Sequence, residues 1–344
     1  MTTPSSEQDK LVRVLARGDV LALAFGAMIG WGWIVLTGTA IQSAGSVGAI
    51  LAFIIGGLAI IMVGLTYAEL ASAMPKVGGE HVYSYRALGH LPSFLCTWAI
   101  ILGYLSVVAF EAVALPTVIE HLAPNYAVGH LWTIAGWEVK ATWVAVGVGG
   151  SLAMMIINYF GVTTAALIQK VVTAMILLVG VLFVTGALFE GETINMMPLF
   201  TQADTGVVAG IVAVLVMVPF LFVGFDVIPQ AAEEINLPYK AIGKVLMMSV
   251  ILAVVWYALI ILATSLALNS TELAASSLSV PAAMGSLFNA PWASNLMVLA
   301  GIAGIITSWS AFYIGGSRAI YALARAGMLP APFAKLHPRY KTPT

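Results

Sequence analysis

Charge is scarce in this chain. Of its 344 residues only 8% are Asp, Glu, Lys or Arg, while 61% are hydrophobic. A soluble domain carries about 25% charge, so the chain lacks the solvated groups needed to cover a water-exposed globule. The net charge of -1 removes the basic footprint of a nucleic-acid binder. One cysteine, Cys96, allows neither an internal disulfide nor a multi-cysteine metal centre, and it reads as a buried, inert thiol. His-Glu-x-x-His and Gly-x-Ser-x-Gly are also missing, so the sequence points away from an enzyme and calls for no cofactor.

What the chain has is apolar runs of about 20 residues, each long enough to cross about 30 Å of hydrocarbon. Eight spans are expected, near Val20–Ala44, Val47–Ser72, Pro92–Leu122, Ala141–Tyr159, Ala165–Phe189, Thr205–Ile235, Ile242–Leu268 and Ser294–Leu323. The fold class is an all-α integral membrane protein embedded in a lipid bilayer. If the spans alternate, Lys10, Arg13, Arg17, Lys76, Arg86, Lys170, Lys240, Lys244, Arg318, Arg325, Lys335, Arg339 and Lys341 fall on one side. The other side has Lys140 and the acids Glu120, Glu138, Glu190, Glu192, Asp204 and Glu272. Basic residues mark the cytoplasmic side, which predicts a multi-pass protein of the cytoplasmic (inner or plasma) membrane with residues 1–17 as a cytoplasmic tail.

Two spans are interrupted. The first contains Gly26-Ala27-Met28-Ile29-Gly30-Trp31-Gly32-Trp33, and the sixth Pro219-Phe220-Leu221-Phe222-Val223-Gly224-Phe225-Asp226. Backbone inside lipid must satisfy its own hydrogen bonds, so glycine and proline at that depth mark kinks or ends. A pair of such breaks is a pointer to a transporter's binding site. Their starts are five spans apart, so they run in opposite directions, as an inverted repeat requires. Asp226 inside an apolar span is costly unless paired, wet or protonated, which makes it a candidate coupling residue or a helix cap. Glu111, counted from Pro92 at about 1.5 Å per residue, falls near the outer end of its span, as a solvated residue or a vestibule charge for cationic substrates. Gly103, Ser106 and Val107 are nearer the middle. Gly304, Thr307 and Ser308 share one helix face, although membrane hydroxyls commonly bond to their own backbone.

Four stretches resemble the amino acid–polyamine–organocation superfamily of secondary transporters. They are Gly26 to Gly38; Tyr67-Ala68-Glu69-Leu70 with Met74-Pro75-Lys76-Val77-Gly78-Gly79-Glu80-His81-Val82-Tyr83 and Ala87-Leu88-Gly89; Phe222 to Asp226 with Ala232-Glu233-Glu234 and Pro238; and Gly316-Ser317-Arg318 with Tyr321 to Arg325 and Gly327-Met328-Leu329-Pro330. The resemblance implies two inverted five-helix repeats with discontinuous helices 1 and 6. On this chain that means a first repeat over residues 18–190, an incomplete second over 205–323, and a cytoplasmic segment over 324–344. Eight of the usual twelve spans are present, which reads as a fragment or a natural truncation.

The same resemblance implies an amino acid or related amine as substrate, moved by alternating access. The amides of Trp31, Gly32 and Trp33 would hold a carboxylate, and the carbonyls of Ala27, Met28 and Ile29 would face an ammonium beside Gly30. Phe220, Leu221 and Gly224 would line the same pocket, with Phe220 or Phe222 as a gate. Relatives more often have a small residue between the two glycines; here Trp31 and Trp33 would narrow the pocket or stack on a cation. Some transporters of this fold bind sodium, which Ala27, Gly30, Gly304, Thr307 and Ser308 would ligate here. Some proton-coupled relatives use a lysine in the fifth span, but Asn158 and Gly161 align Ile176, not Lys170, to that place. Proton coupling through Asp226, sodium coupling through Thr307 and Ser308, and exchange all stay open. The expected motion rocks spans 1, 2, 6 and 7 against spans 3, 4 and 8, with Glu80, His81, Arg86, Glu233 and Glu234 as inner-gate candidates. The competing reading is a transporter-like receptor or scaffold that binds without flux.

Overall fold

The computed structural model describes residues 11–202 and 206–343. Lys10, Asp204, Thr205 and most of the expected N-terminal tail lie outside the described residues. The elements are α1 (Arg17–Met28), α2 (Gly32–Ala44), α3 (Ser46–Ala73), α4 (Glu80–Leu88), α5 (His90–Leu122), β1 (His130–Ile134), β2 (Trp137–Lys140), α6 (Ala141–Tyr159), α7 (Val162–Glu190), α8 (Val207–Leu221), α9 (Val227–Gln230), α10 (Tyr239–Ala267), α11 (Ser270–Ala275), α12 (Ser279–Leu287) and α13 (Pro291–Arg325). Short 3-10 turns fall between several of them. The antiparallel β1–β2 hairpin between α5 and α6 is an addition to the expected all-helical frame. Nothing in its short polar-interrupted sequence carries a helical period.

Six helices are long and apolar enough to cross a membrane: α3, α5, α6, α7, α10 and α13. The pair α1 and α2 makes one further span, bent by 46°. The sixth expected span is divided. Its first part is α8, and its continuation shrinks to the single turn of α9 and the 3-10 turn Ala232–Glu234.

Burial sorts the spans into layers. In α13 78% of the apolar window is buried inside the protein, against 17–33% for α3, α5, α6 and α7. Thus α13 is the central helix, and the others turn most of their leucines, valines and isoleucines outward, as lipid-facing helices do. Cys96 is exposed on α5, so the expected buried thiol is corrected: its helix presents that face to the surroundings. The helix pair α3–α10 packs extensively, as do α5–α13 and α7–α13. α1 touches α7, α10 and α13 together, which brings the first break to the middle of the bundle.

Candidate functional site

The first break opens where α1 ends at Met28 and Ile29 leaves helical geometry (φ -107°, ψ 59°). Gly30 and Gly32 give little helix propensity, but tertiary contact makes glycine necessary. A Cβ on Gly30 would lie 2.7 Å from Glu111 Oε1 and 2.9 Å from Ser308 Oγ. Among the described residues, the amides of Gly30, Gly32 and Trp33 donate to no backbone carbonyl. The Trp31 amide faces the Glu111 carboxyl, which also meets the Ser308 hydroxyl. The break therefore presents several free donors beside one buried acid.

The second break follows Pro219 in α8, and its turn requires Gly224 at φ +132°, a conformation that disfavours any Cβ. A Cβ there would sit 2.5 Å from Ala27 Cβ and 2.9 Å from the Ala27 carbonyl carbon. The two breaks are thus in contact. Tyr257, from α10, closes the joint: its hydroxyl lies 2.9 Å from the Met28 carbonyl and 3.2 Å from that of Leu221. These are the carbonyls that helix ends leave unpaired.

A cavity of about 30 Å³ lies at the joint, lined by Ala27, Met28, Gly30, Trp31, Gly32, Val107, Phe110, Glu111, Phe220, Leu221, Val223, Tyr257, Ser308 and Phe312. That is room for little more than a water molecule, so a larger solute needs the walls to part. Phe110 and Phe220 meet edge to face at 5.8 Å on the side away from the N-terminus.

Most of the predicted binding residues meet at this cavity, and several side chains do not. Ile29 is fully buried, and its carbonyl, like that of Gly30, abuts Gly304. Trp33 packs edge-on against Trp256 at 5.3 Å instead of facing the cavity. Phe222, the gate candidate, is fully buried between Phe53 and Tyr257. The turn after Leu221 rotates it into the core, which leaves Phe220 as the aromatic on the cavity. Thr307 donates to its own helix at Gly304 O (2.9 Å), while Ser308 reaches the cavity. Gly103 and Ser106 lie on the exposed face of α5, and Val107 alone of that trio lines the cavity.

Glu111 is the main correction. The count along α5 places it near a solvated outer end, yet it is 2% exposed and sits beside Gly30. The helix runs on past Glu111 to Leu122, so about three further turns separate Glu111 from the outer end of the helix. Tyr257 and Tyr104 are site residues that sequence reasoning misses; the usable signal is a hydroxyl-bearing aromatic inside an apolar run.

Toward the N-terminal side the breaks are backed by polar layers. Asp226 does not cap α9. It accepts from the Tyr104 hydroxyl (2.6 Å) and the Gly224 amide (3.0 Å). Below it Gln230 donates to Glu80, and the Glu234 carboxylate takes a two-pronged hydrogen bond from Arg318 at 2.8 Å each. Residues 14–15 and 234–236 exchange backbone hydrogen bonds, and Arg13 donates to the carbonyls of Ile235 and Leu237. Lys170 pairs with Asp19 at 2.8 Å, at the N-terminal end of α1, while Ile176 is fully buried. His81 is packed, not solvated: its ring bonds Ser93 at 2.9 Å.

A family model described as "Amino acid permease" matches residues 18–344. The chain belongs to the amino acid permease family. This permease is 28% identical to a branched-chain amino acid permease, BcaP, of Bacillus subtilis over 98% of its own length and 73% of the relative's. It is 28% identical to the chloroplastic cationic amino acid transporter 9 of Arabidopsis thaliana, over 97% of this chain and 59% of that one. The chain thus spans about three-quarters of the first relative and less of the second. Its fold resembles Mhp1, a nucleobase-cation-symport-1 family transporter solved in a closed conformation with bromovinylhydantoin bound. The TM-score is 0.60 at 13% identity, covering 94% of this chain and 70% of Mhp1. The permease is a multi-pass membrane transporter with an all-α transporter fold, and not an enzyme.

Proposed function

We propose that the permease carries a zwitterionic amino acid across the cytoplasmic membrane by alternating access, with residues 11–17 on the cytoplasmic side. The observation that carries this reading is the meeting of unpaired amides at Gly30, Gly32 and Trp33 with the buried acid Glu111 at one cavity between two helix breaks. Free amides suit a carboxylate; an acid and the carbonyls at the end of α1 suit an ammonium. Ala27, Met28, Gly30, Trp31, Gly32 and Leu221 form the walls, and Phe220 with Phe110 forms the lid.

The repeats are residues 18–190 and 205–323, and α1 to α3 with α8 to α10 rock against α5, α6 and α13. For coupling we take a proton on Asp226 over sodium at Ala27, Gly30, Gly304, Thr307 and Ser308. Gly304 is packed onto the Ile29 and Gly30 carbonyls, which leaves little room for an ion, whereas Asp226 has no salt-bridge partner among the described residues, so a proton is the charge that would neutralise it.

The test is uptake of labelled leucine, lysine and aspartate into liposomes holding the full-length protein. At least one is expected to accumulate under an inward pH gradient without sodium, and Asp226→Asn should lose that drive. Gly30→Val should abolish uptake, because its Cβ meets Glu111 and Ser308. Saturable binding without flux would instead make the protein a receptor, and unchanged uptake across pH in Asp226→Asn would remove the proton assignment.

A further inference from the structure

The layer below Asp226 contains an acid with no counter-charge. Glu80 opens α4, directly after the turn Gly78-Gly79, and is 5% exposed. That turn lies on α9: the Gly78 amide donates to the Gln230 carbonyl, and a Cβ on Gly79 would meet Pro229 at 2.8 Å. The Gln230 side-chain amide donates to Glu80 Oε2. Two oxygens of this pair, Glu80 Oε1 and Gln230 Oε1, are buried with no hydrogen-bond partner. Both are acceptors, and they belong to the two members of one hydrogen-bonded pair. A proton on Glu80 satisfies both together, because a carboxylic acid and a carboxamide pair reciprocally, N–H to one carboxyl oxygen and O–H to the amide oxygen. Buried acceptors left unpaired are costly, so the interior favours the form that pairs them.

The surrounding charges favour the same form. From the loop before α9, Asp226 is an acid and favours the protonated form; from α3, the Tyr67 hydroxyl donates toward Glu80 and opposes it; from α5, Tyr104 is committed to Asp226. From α13, Arg318 is held by Glu234. Within α4 the His81 ring turns to Ser93, and burial lowers its pKa, which keeps it neutral. No cation is among the groups acting on Glu80 among the described residues. Burial first, then Asp226, holds the Glu80 carboxyl well above the ordinary carboxylate range.

We propose that Glu80 is a proton-binding site of the transport cycle, protonated when the N-terminal side is closed and deprotonated when that side opens. On opening, α4 and α9 separate, the O–H of Glu80 gives its proton to water, and the Gln230 amide is solvated. Closing reverses each step. The inference rests on the alternating-access reading above and adds a second acid to Asp226. The sign follows from linkage: a carboxyl whose pKa is raised in the closed state favours closure fully at acid pH. That preference falls as pH rises from the ordinary carboxylate value toward the raised one, by at most about tenfold per unit for one proton.

The experiment compares the full-length wild type with Glu80→Gln, which keeps a neutral amide pair with Gln230. Infrared difference spectra between acid and alkaline pH should contain a protonated-carboxyl band that Glu80→Gln lacks and Glu80→Asp shifts. Leucine exchange in liposomes should accelerate with pH in the wild type, and that dependence should be reduced in Glu80→Gln. A band unchanged in both variants, or a wild-type pH profile in Glu80→Gln, overturns the proposal. If the wild type exchanges no amino acid, the transport reading fails, and the infrared comparison alone decides Glu80. If Glu80→Gln does not fold, the shift in Glu80→Asp decides it.

Discussion

The two sides of the central cavity are closed by different materials. Toward the N-terminal side lie three polar layers, Tyr104–Asp226, Gln230–Glu80 and Arg318–Glu234, with backbone pairing of residues 14–15 and 234–236 beneath. On the other side two phenylalanines meet edge to face, and Phe220 is 47% exposed. The polar side is thick and directional, so it opens only if several bonds break together. The aromatic side is thin and undirected, so one rotamer change breaches it.

The comparison is broken most severely at Arg318. Its guanidinium and the Glu234 carboxylate have side-chain exposures of 3% and 2%. Arg318→Met strands a buried carboxylate, at a cost of about 3–5 kcal/mol. Thermal melting in detergent should show a large drop, mostly recovered in Arg318→Met/Glu234→Met; a single variant as stable as the wild type would show that the layer contributes little. Opening the thin side costs less. Phe220→Ala removes one aromatic pair worth about 0.5–1.5 kcal/mol, and should speed exchange and weaken substrate retention with little change in melting. A substantial fall in melting would mean that the aromatic side bears the fold's stability as well. The smallest effect belongs to Lys170→Met. That lysine is 47% exposed, and such pairs contribute about 0–1 kcal/mol. Its uptake and melting should match the wild type at high salt; lost transport would place Lys170 in the cycle.

Much of the fold is legible in the sequence. The eight apolar runs appear as six long helices, one bent pair and the divided α8–α9 segment, because span length is set by hydrocarbon thickness and not by partners. Both breaks are marked by glycine, and the second also by Pro219, for the same local reason. Legibility ends where rotation about a helix axis matters. Phe220 and Phe222 are two residues apart, yet one reaches the cavity and the other the Phe53–Tyr257 stack. In an almost wholly apolar span no polar stripe reports which face points inward.

That the chain crosses a membrane, where it crosses, and which two crossings cannot be continuous helices all follow from the order of residues alone, since backbone hydrogen bonding in lipid leaves no alternative. The contacts between crossings do not. Packing in three dimensions sets the breaks against each other through Gly224 and Ala27, bridges their carbonyls with Tyr257, and lays Glu111 beside Gly30. It also gives Arg318 to Glu234 and Glu80 to Gln230. The hydrogen-bonded pairs among these join residues 36 to 229 positions apart. They are selected by the packing of whole helices, which excludes water and makes a partner inside the bundle valuable to a buried polar group.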